Sequence, residues 1–158
     1  MKPVRGIATA VVPATVEQCF SLLAAVDGYP RWYPEVVRDV QVIETGKDGR
    51  PSRAHTTLHV AYGPLAKDFP LVLAIALDWP RTVRLTRLPN EPGDDEQFEV
   101  IWRLEDRAGT QIELELDARL DVPRLLPIGG IGDVLADGFV HAAAEALGTF
   151  RAPAPAGW

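Results

Sequence analysis

The sequence predicts an α+β fold in which one curved antiparallel sheet has its dry face covered by helices. Three observations carry that expectation. Between Val36 and Leu120, apolar residues recur mostly at every second position, the period of half-buried strands. The breaks between those runs are of hairpin length, which requires antiparallel pairing. Before and after this region, from Thr15 and again up to Gly148, the spacing turns helical.

The elements follow in order. Val4 to Val12 is rich in β-branched residues, lies between Pro3 and Pro13, and reads as a strand. Thr15 opens a helix, because Thr15 and Gln18 have the spacing of a capping box in which each side chain satisfies a free backbone N–H. Val16, Cys19, Phe20 and Leu23 then form an apolar stripe, and Asp27-Gly28 ends it. In Tyr29-Pro-Arg-Trp-Tyr-Pro34 the two prolines limit the chain to a single helical turn. Val36 to Glu44 reads as a strand, and Gly46-Lys-Asp-Gly49 as the turn after it. Ala54, Thr56, Leu58, Val60 and Tyr62 alternate with Arg53, His55, Thr57, His59 and Ala61 until Gly63-Pro64 breaks the run. Phe69 to Trp79 is apolar on both faces and is expected to be a covered strand despite Pro70. Thr82 to Leu88 is a short strand, followed by the loop Asn90 to Asp95. Phe98, Val100, Trp102 and Leu104 pair in a hairpin with Ile112, Leu114, Leu116 and Leu120, the charged residues lying on the opposite face. The last helix is expected from about Gly132 to Gly148, with Ile131, Leu135, Gly138, Ala142 and Ala146 on its buried face, flanked by Val134 and Phe139.

The 158 residues suit one domain, placed at 1–150, with a Pro/Ala-rich tail at 151–158 read as mobile. Acids outnumber bases by 22 to 16, a net charge of −6, which argues against nucleic acid as a partner. The longest apolar run, Pro70 to Leu77, is far short of the ~20 residues of a membrane span, so stable membrane insertion is not expected. The N-terminal residues lack the apolar core of a secretory signal, which points to the cytoplasm.

Groups able to do chemistry are sparse. His55 and His59 point to one side of a strand but stand ~13 Å apart, too far to share a metal ion. Neither they nor the single cysteine, Cys19, suggests a metal site, and no cofactor is expected. Glu113, Glu115 and Asp117 share a face with Arg103 and Arg119 and read as a cross-paired sheet exterior. Neither serine, Ser21 or Ser52, lies in a nucleophile-elbow motif. Gly129-Gly-Ile-Gly132 fails the dinucleotide-loop pattern at Leu135 and reads as a flexible hinge. Trp32, Tyr62, Phe69, Trp79, Trp102 and Phe139 remain, as core fillers or as the wall of an apolar pocket.

The stretch Val11 to Phe20 and the following Val26-Asp-Gly-Tyr-Pro-Arg-Trp-Tyr-Pro-Glu35 resemble the opening of the START-like (SRPBCC) helix-grip superfamily. More narrowly they are similar to its polyketide cyclase/dehydrase and coenzyme-Q-binding branch. The resemblance implies a curved antiparallel sheet wrapped around a long C-terminal helix, with two short N-terminal helices. It also implies a deep apolar cavity between sheet and helix. The partner is then a hydrophobic small molecule: a lipid, a quinone or a polyketide-like aromatic. Either the chain binds or carries it, or it acts on it as an aromatase/cyclase or dehydrase. The arginine and serine that related cyclases place on the middle strands are missing from His55 to Tyr62 and from Phe69 to Trp79. Thr56, His59 and Tyr62 remain as hydrogen-bond donors. Placing each apolar set inward makes Thr56, Leu58, Val60, Tyr62, Phe69, Leu71, Trp102, Leu114, Leu135 and Phe139 the expected ligand-binding residues. As a simple lining residue, Phe139 changed to alanine would weaken binding ~60–70-fold.

Overall fold

The computed structural model describes residues 3–62, 64–119 and 130–149, apart from the side chains of Tyr62, Leu65 and Thr149. Expectations for Gly63, Leu120, Gly129, the Tyr62 side chain and the 151–158 tail lie outside the described residues. The chain runs β1 (Pro3–Val12), α1 (Val16–Ala24), a 3-10 turn (Val26–Gly28), α2 (Tyr29–Trp32) and β2 (Val37–Thr45). It continues through β3 (Pro51–Tyr62), β4 (Leu65–Asp78), β5 (Thr82–Arg87), β6 (Gln97–Asp106), β7 (Thr110–Arg119) and α3 (Ile131–Thr149). The strands form one sheet in the order β1-β7-β6-β5-β4-β3-β2, every pair antiparallel. This is the helix-grip architecture, with α3 held across the concave face and α1 and α2 at one end. Among the described residues, no helix is long and apolar enough to cross a membrane.

Local chemistry places the elements as expected. The Thr15 hydroxyl accepts from the Gln18 N–H at 3.1 Å and the Gln18 side chain accepts from the Thr15 N–H at 2.9 Å, so the α1 capping box is complete. Alternation sets the faces of β6 and β7: Trp102, Ile112 and Leu114 are buried, while Arg103 on the outer face bonds Glu113 and Glu115, each at 2.9 Å. Those two carboxylates, Glu115 first, push the Arg103 pKa up. Cys19 is fully buried, and burial pushes its thiol pKa up, as befits a core residue.

Four expectations need correction. β4 is not covered on both faces: Leu71, Leu73 and Ile75 point into the core, but Pro70 and Ala76 on the other side are exposed. Trp79 is 54% exposed, because it caps a sheet corner, where its ring meets the Phe20 edge at 4.9 Å and the Arg50 guanidinium. The buried stripe of α3 is partly rotated from the expected one: Ile131, Phe139 and Ala142 are buried as expected, but Ala136, Val140, Ala143 and Leu147 complete the stripe in place of the half-buried Leu135, Gly138 and Ala146, and Val134 is exposed. The helix is apolar nearly all round, so spacing alone left its orientation open. Finally, Gly132 is a packing residue, not a hinge. A Cβ on Gly132 would run into the Arg5 carbonyl, and one on Gly6 into the Gly132 carbonyl. The first turn of α3 therefore rests on β1 backbone to backbone, and Asp133 accepts from the Ile7 N–H at 3.4 Å.

An ion pair closes one corner of the sheet. Arg87 shares the inward parity of Val83 and Leu85 on β5, and its side chain is only 2% exposed. It donates to both Asp94 carboxylate oxygens, at 3.1 and 2.6 Å, and to the Glu96 carbonyl at 2.7 Å. The N–H groups of Asn90 and Glu96 also donate to Asp94, so this carboxylate organises the β5–β6 loop.

These contacts make two of the α3 glycines, Gly132 and Gly148, respond oppositely to alanine. In an open helix, Gly→Ala gains about 0.5–1 kcal/mol, and Gly148→Ala, with nothing within 4 Å of its added carbon, should do so. Gly132→Ala should instead lose about 1–3 kcal/mol, since helix and strand must separate. Urea denaturation showing the same sign for both variants would contradict the backbone contact. The ion pair predicts a response to acid. Hydrogen bonds from Arg87, then from the Asn90 N–H, hold the Asp94 pKa down to about 2 from an ordinary 3.8. A depressed carboxylate stabilises the fold fully above its unfolded pKa, and that contribution fades as pH falls from about 4 towards 2. Asp94→Asn should lower stability at neutral pH and flatten its decline across that acid window. Denaturation midpoints that fall equally steeply in both proteins would contradict it.

Candidate functional site

Among the described residues, the concave face of the sheet and the underside of α3 border two apolar voids. The first, about 20 Å3, lies under the 3-10 turn and α2 and is bordered by Val26, Tyr29, Val40, Thr56, Leu73 and Trp102, among others. The second, about 40 Å3, lies toward the start of α3, among Val4, Val60, Phe69, Leu116, Leu135 and others. Leu58, Phe98 and Phe139 border both. Among the described residues, none that borders either void is charged.

Of the expected residues, Thr56, Leu58, Val60, Phe69, Trp102, Leu135 and Phe139 come together around these voids. Leu71 and Leu114 are buried in the core but border neither. The resemblance implied a deep cavity. The voids are instead about water-sized, because the rings of Phe98 and Phe139 and the Leu58 side chain fill the space between them. His59 is not an inward donor. It lies on the outer face of β3, where its Nδ1 is 2.6 Å from Asp68 on β4.

Sequence reasoning missed Tyr29, Phe98 and Arg87. Phe98 and Arg87 were legible, since each shares the parity of inward neighbours, Val100 and Leu85 respectively. Tyr29 was not, because its position depends on how α2 folds under the sheet. Its hydroxyl donates to the Leu23 carbonyl at 2.6 Å, and burial pushes its pKa well up. The Trp102 indole N–H, beside that hydroxyl, opposes the shift but lies outside full hydrogen-bond geometry. Among the described residues that border the voids, inward polar chemistry thus amounts to the Thr56 hydroxyl, the Tyr29 hydroxyl and the Trp102 N–H. Among the described residues no cluster of His, Cys, Asp or Glu could hold a metal ion.

A larger groove, about 570 Å3, lies on the outside between α1, α2 and the end of α3. Gln18, Leu22, Trp32 and Ala146 line it, with Glu17 and Arg31 also on its wall. It is more open to water and carries ionic side chains, so an apolar molecule gains less there than against the apolar interior.

Known proteins share this architecture. A START superfamily protein from Mycobacterium smegmatis is 16% identical, with a TM-score of 0.71 over 93% of this chain and 99% of its own. A protein from Thermus thermophilus is also 16% identical, with a TM-score of 0.69 over 96% of this chain and 100% of its own. The Zhui aromatase/cyclase from a Streptomyces species is 20% identical, with a TM-score of 0.64 over 98% of this chain and 99% of its own. At such identities the likeness is one of fold. No curated protein matches the chain. Residues 12–144 match the family described as polyketide cyclase/dehydrase and lipid transport, and the chain belongs to that family.

Proposed function

We propose that the chain binds and carries an uncharged hydrophobic small molecule (a lipid, a quinone or a polyketide-like aromatic) between its sheet and α3. The observation that supports this most is the uncharged wall around both voids. A charged headgroup buried there would lose its hydration and gain no counter-charge. Among the described residues, the inward arginine, Arg87, is already committed to Asp94 and the Glu96 carbonyl. Thr56, Leu58, Val60, Phe69, Trp102, Leu135 and Phe139 are the contact residues in this reading, with Leu71 and Leu114 in the core around them.

A second reading is an aromatase/cyclase or dehydrase acting on a molecule held in the same place. Its support is the family description and the likeness to the Zhui aromatase/cyclase. In that case the Thr56 hydroxyl would orient a developing enolate, an effect greatest in the transition state; the Tyr29 hydroxyl proton is already donated to the Leu23 carbonyl.

Native mass spectrometry of freshly purified protein tests the first reading. A bound mass that is removed by solvent extraction is expected, as is saturable uptake of the neutral dye Nile red by the extracted protein. Protein of bare chain mass that takes up no Nile red would sink it. Thr56→Val separates the readings. A carrier should lose about 0.5–1.5 kcal/mol of affinity at most. A cyclase should lose turnover on a polyketide-like substrate ~100-fold with affinity almost unchanged.

A further inference from the structure

We propose that Phe139 is a plug that must swing aside before the interior holds a ligand, and that it thereby controls the rate and tightness of uptake. The inference rests on the reading of the interior as the ligand site. Of the three side chains that separate the voids, Leu58 and Phe98 project from the sheet, and only Phe139 descends from α3. Its ring is buried and meets the Tyr33 ring edge to face, centroids 4.7 Å apart. The Tyr33 hydroxyl lies against Gly138, in the space a β-carbon would take. Glycine at 138 thus lets Tyr33 come close enough to hold the neighbouring ring inward.

Size makes displacement obligatory. Voids of about 20 and 40 Å3 are far below the ~300–1,000 Å3 of small-molecule pockets. Moving one ring joins two existing spaces, whereas enlarging either alone means deforming the sheet. Both walls present apolar surface as they stand. Toward Val60, Phe69 and Leu135 the wall is apolar. Behind the plug lie Thr56, Tyr29 and the Trp102 N–H, which is buried without a hydrogen-bond partner. The preferred molecule is therefore uncharged and largely apolar, reaching past Phe139 from one void into the other.

A ligand that binds only an opened minority state has its affinity reduced by the fraction open. If that fraction is about 1–10%, removing the ring restores ~10–100-fold. A cavity made by truncating a buried apolar side chain stays dry and accepts apolar molecules. The expected effect of Phe139→Ala is thus the reverse of that for a simple lining residue.

The test is stopped-flow and equilibrium titration with Nile red on extracted wild-type protein and on Phe139→Ala. The wild-type rate should level off with dye concentration at the rate of ring opening. The variant's rate should rise linearly, and its affinity should be ~10-fold tighter. Weaker binding by the variant, with the same concentration dependence as wild type, would overturn the plug and leave the site standing. If neither protein takes up the dye, the ligand site itself falls, and the plug with it. Should Phe139→Ala fail to fold by circular dichroism, Phe139→Leu decides in the same titration: faster, tighter uptake supports the plug, and slower or weaker uptake overturns it.

Discussion

The approach of α3 to β1, backbone against backbone at Gly6 and Gly132, sets the depth at which the long helix lies over the sheet. A β-carbon at either place would lift the first turn of the helix and with it the whole inner face. A second contact of the same kind, Tyr33 over Gly138, pulls α2 against the middle of α3. Between these points the helix lies low enough for Phe139 to reach the sheet residues Leu58 and Phe98. The small size of the voids is thus a consequence of glycine positions, and the filling of the interior follows from helix depth more than from the number of large side chains.

Electrostatics divides the molecule along the sheet. Outside, carboxylates and arginines pair across strands, as Arg103 does with Glu113 and Glu115. Such exposed pairs contribute little to stability, but they keep the outer face in water. Inside, Arg87 is the exception, and its partners are supplied by its own loop, so it adds no free charge to the interior. Thr56, Tyr29 and Trp102 supply what hydrogen bonding remains near the voids, and the Tyr29 proton already goes to Leu23. An interior of this kind favours molecules that bring little polarity of their own.

Much of this was legible in the sequence, because a strand's period of two leaves no freedom about faces. Trp102 and Leu114 went inward and Arg103 and Glu113 outward, as alternation requires. The capping box at Thr15 and the single turn at Tyr29–Trp32 were equally local. The rotation of α3 was not legible, since alanines and glycines surround the helix and several stripes are almost equally apolar. The size of the interior was hidden for a related reason. It depends on Gly6 meeting Gly132, a contact between residues far apart in the chain that no local pattern announces. Arg87 escaped notice because a charge at an inward position runs against the apolar pattern, although its parity with Val83 and Leu85 was plain.

The interior voids are small, while a groove of about 570 Å3 stands more open beside α1. Water exclusion and the absence of charge nonetheless make the interior the better place for an apolar ligand. Methyl NMR during a Nile red titration separates the two places directly. The interior site predicts shifts at the methyls of Leu58, Val100, Leu116 and Leu135, which border the voids on both sides of Phe139. Shifts confined to Leu22, in the outer groove, with those interior methyls unmoved, would contradict it.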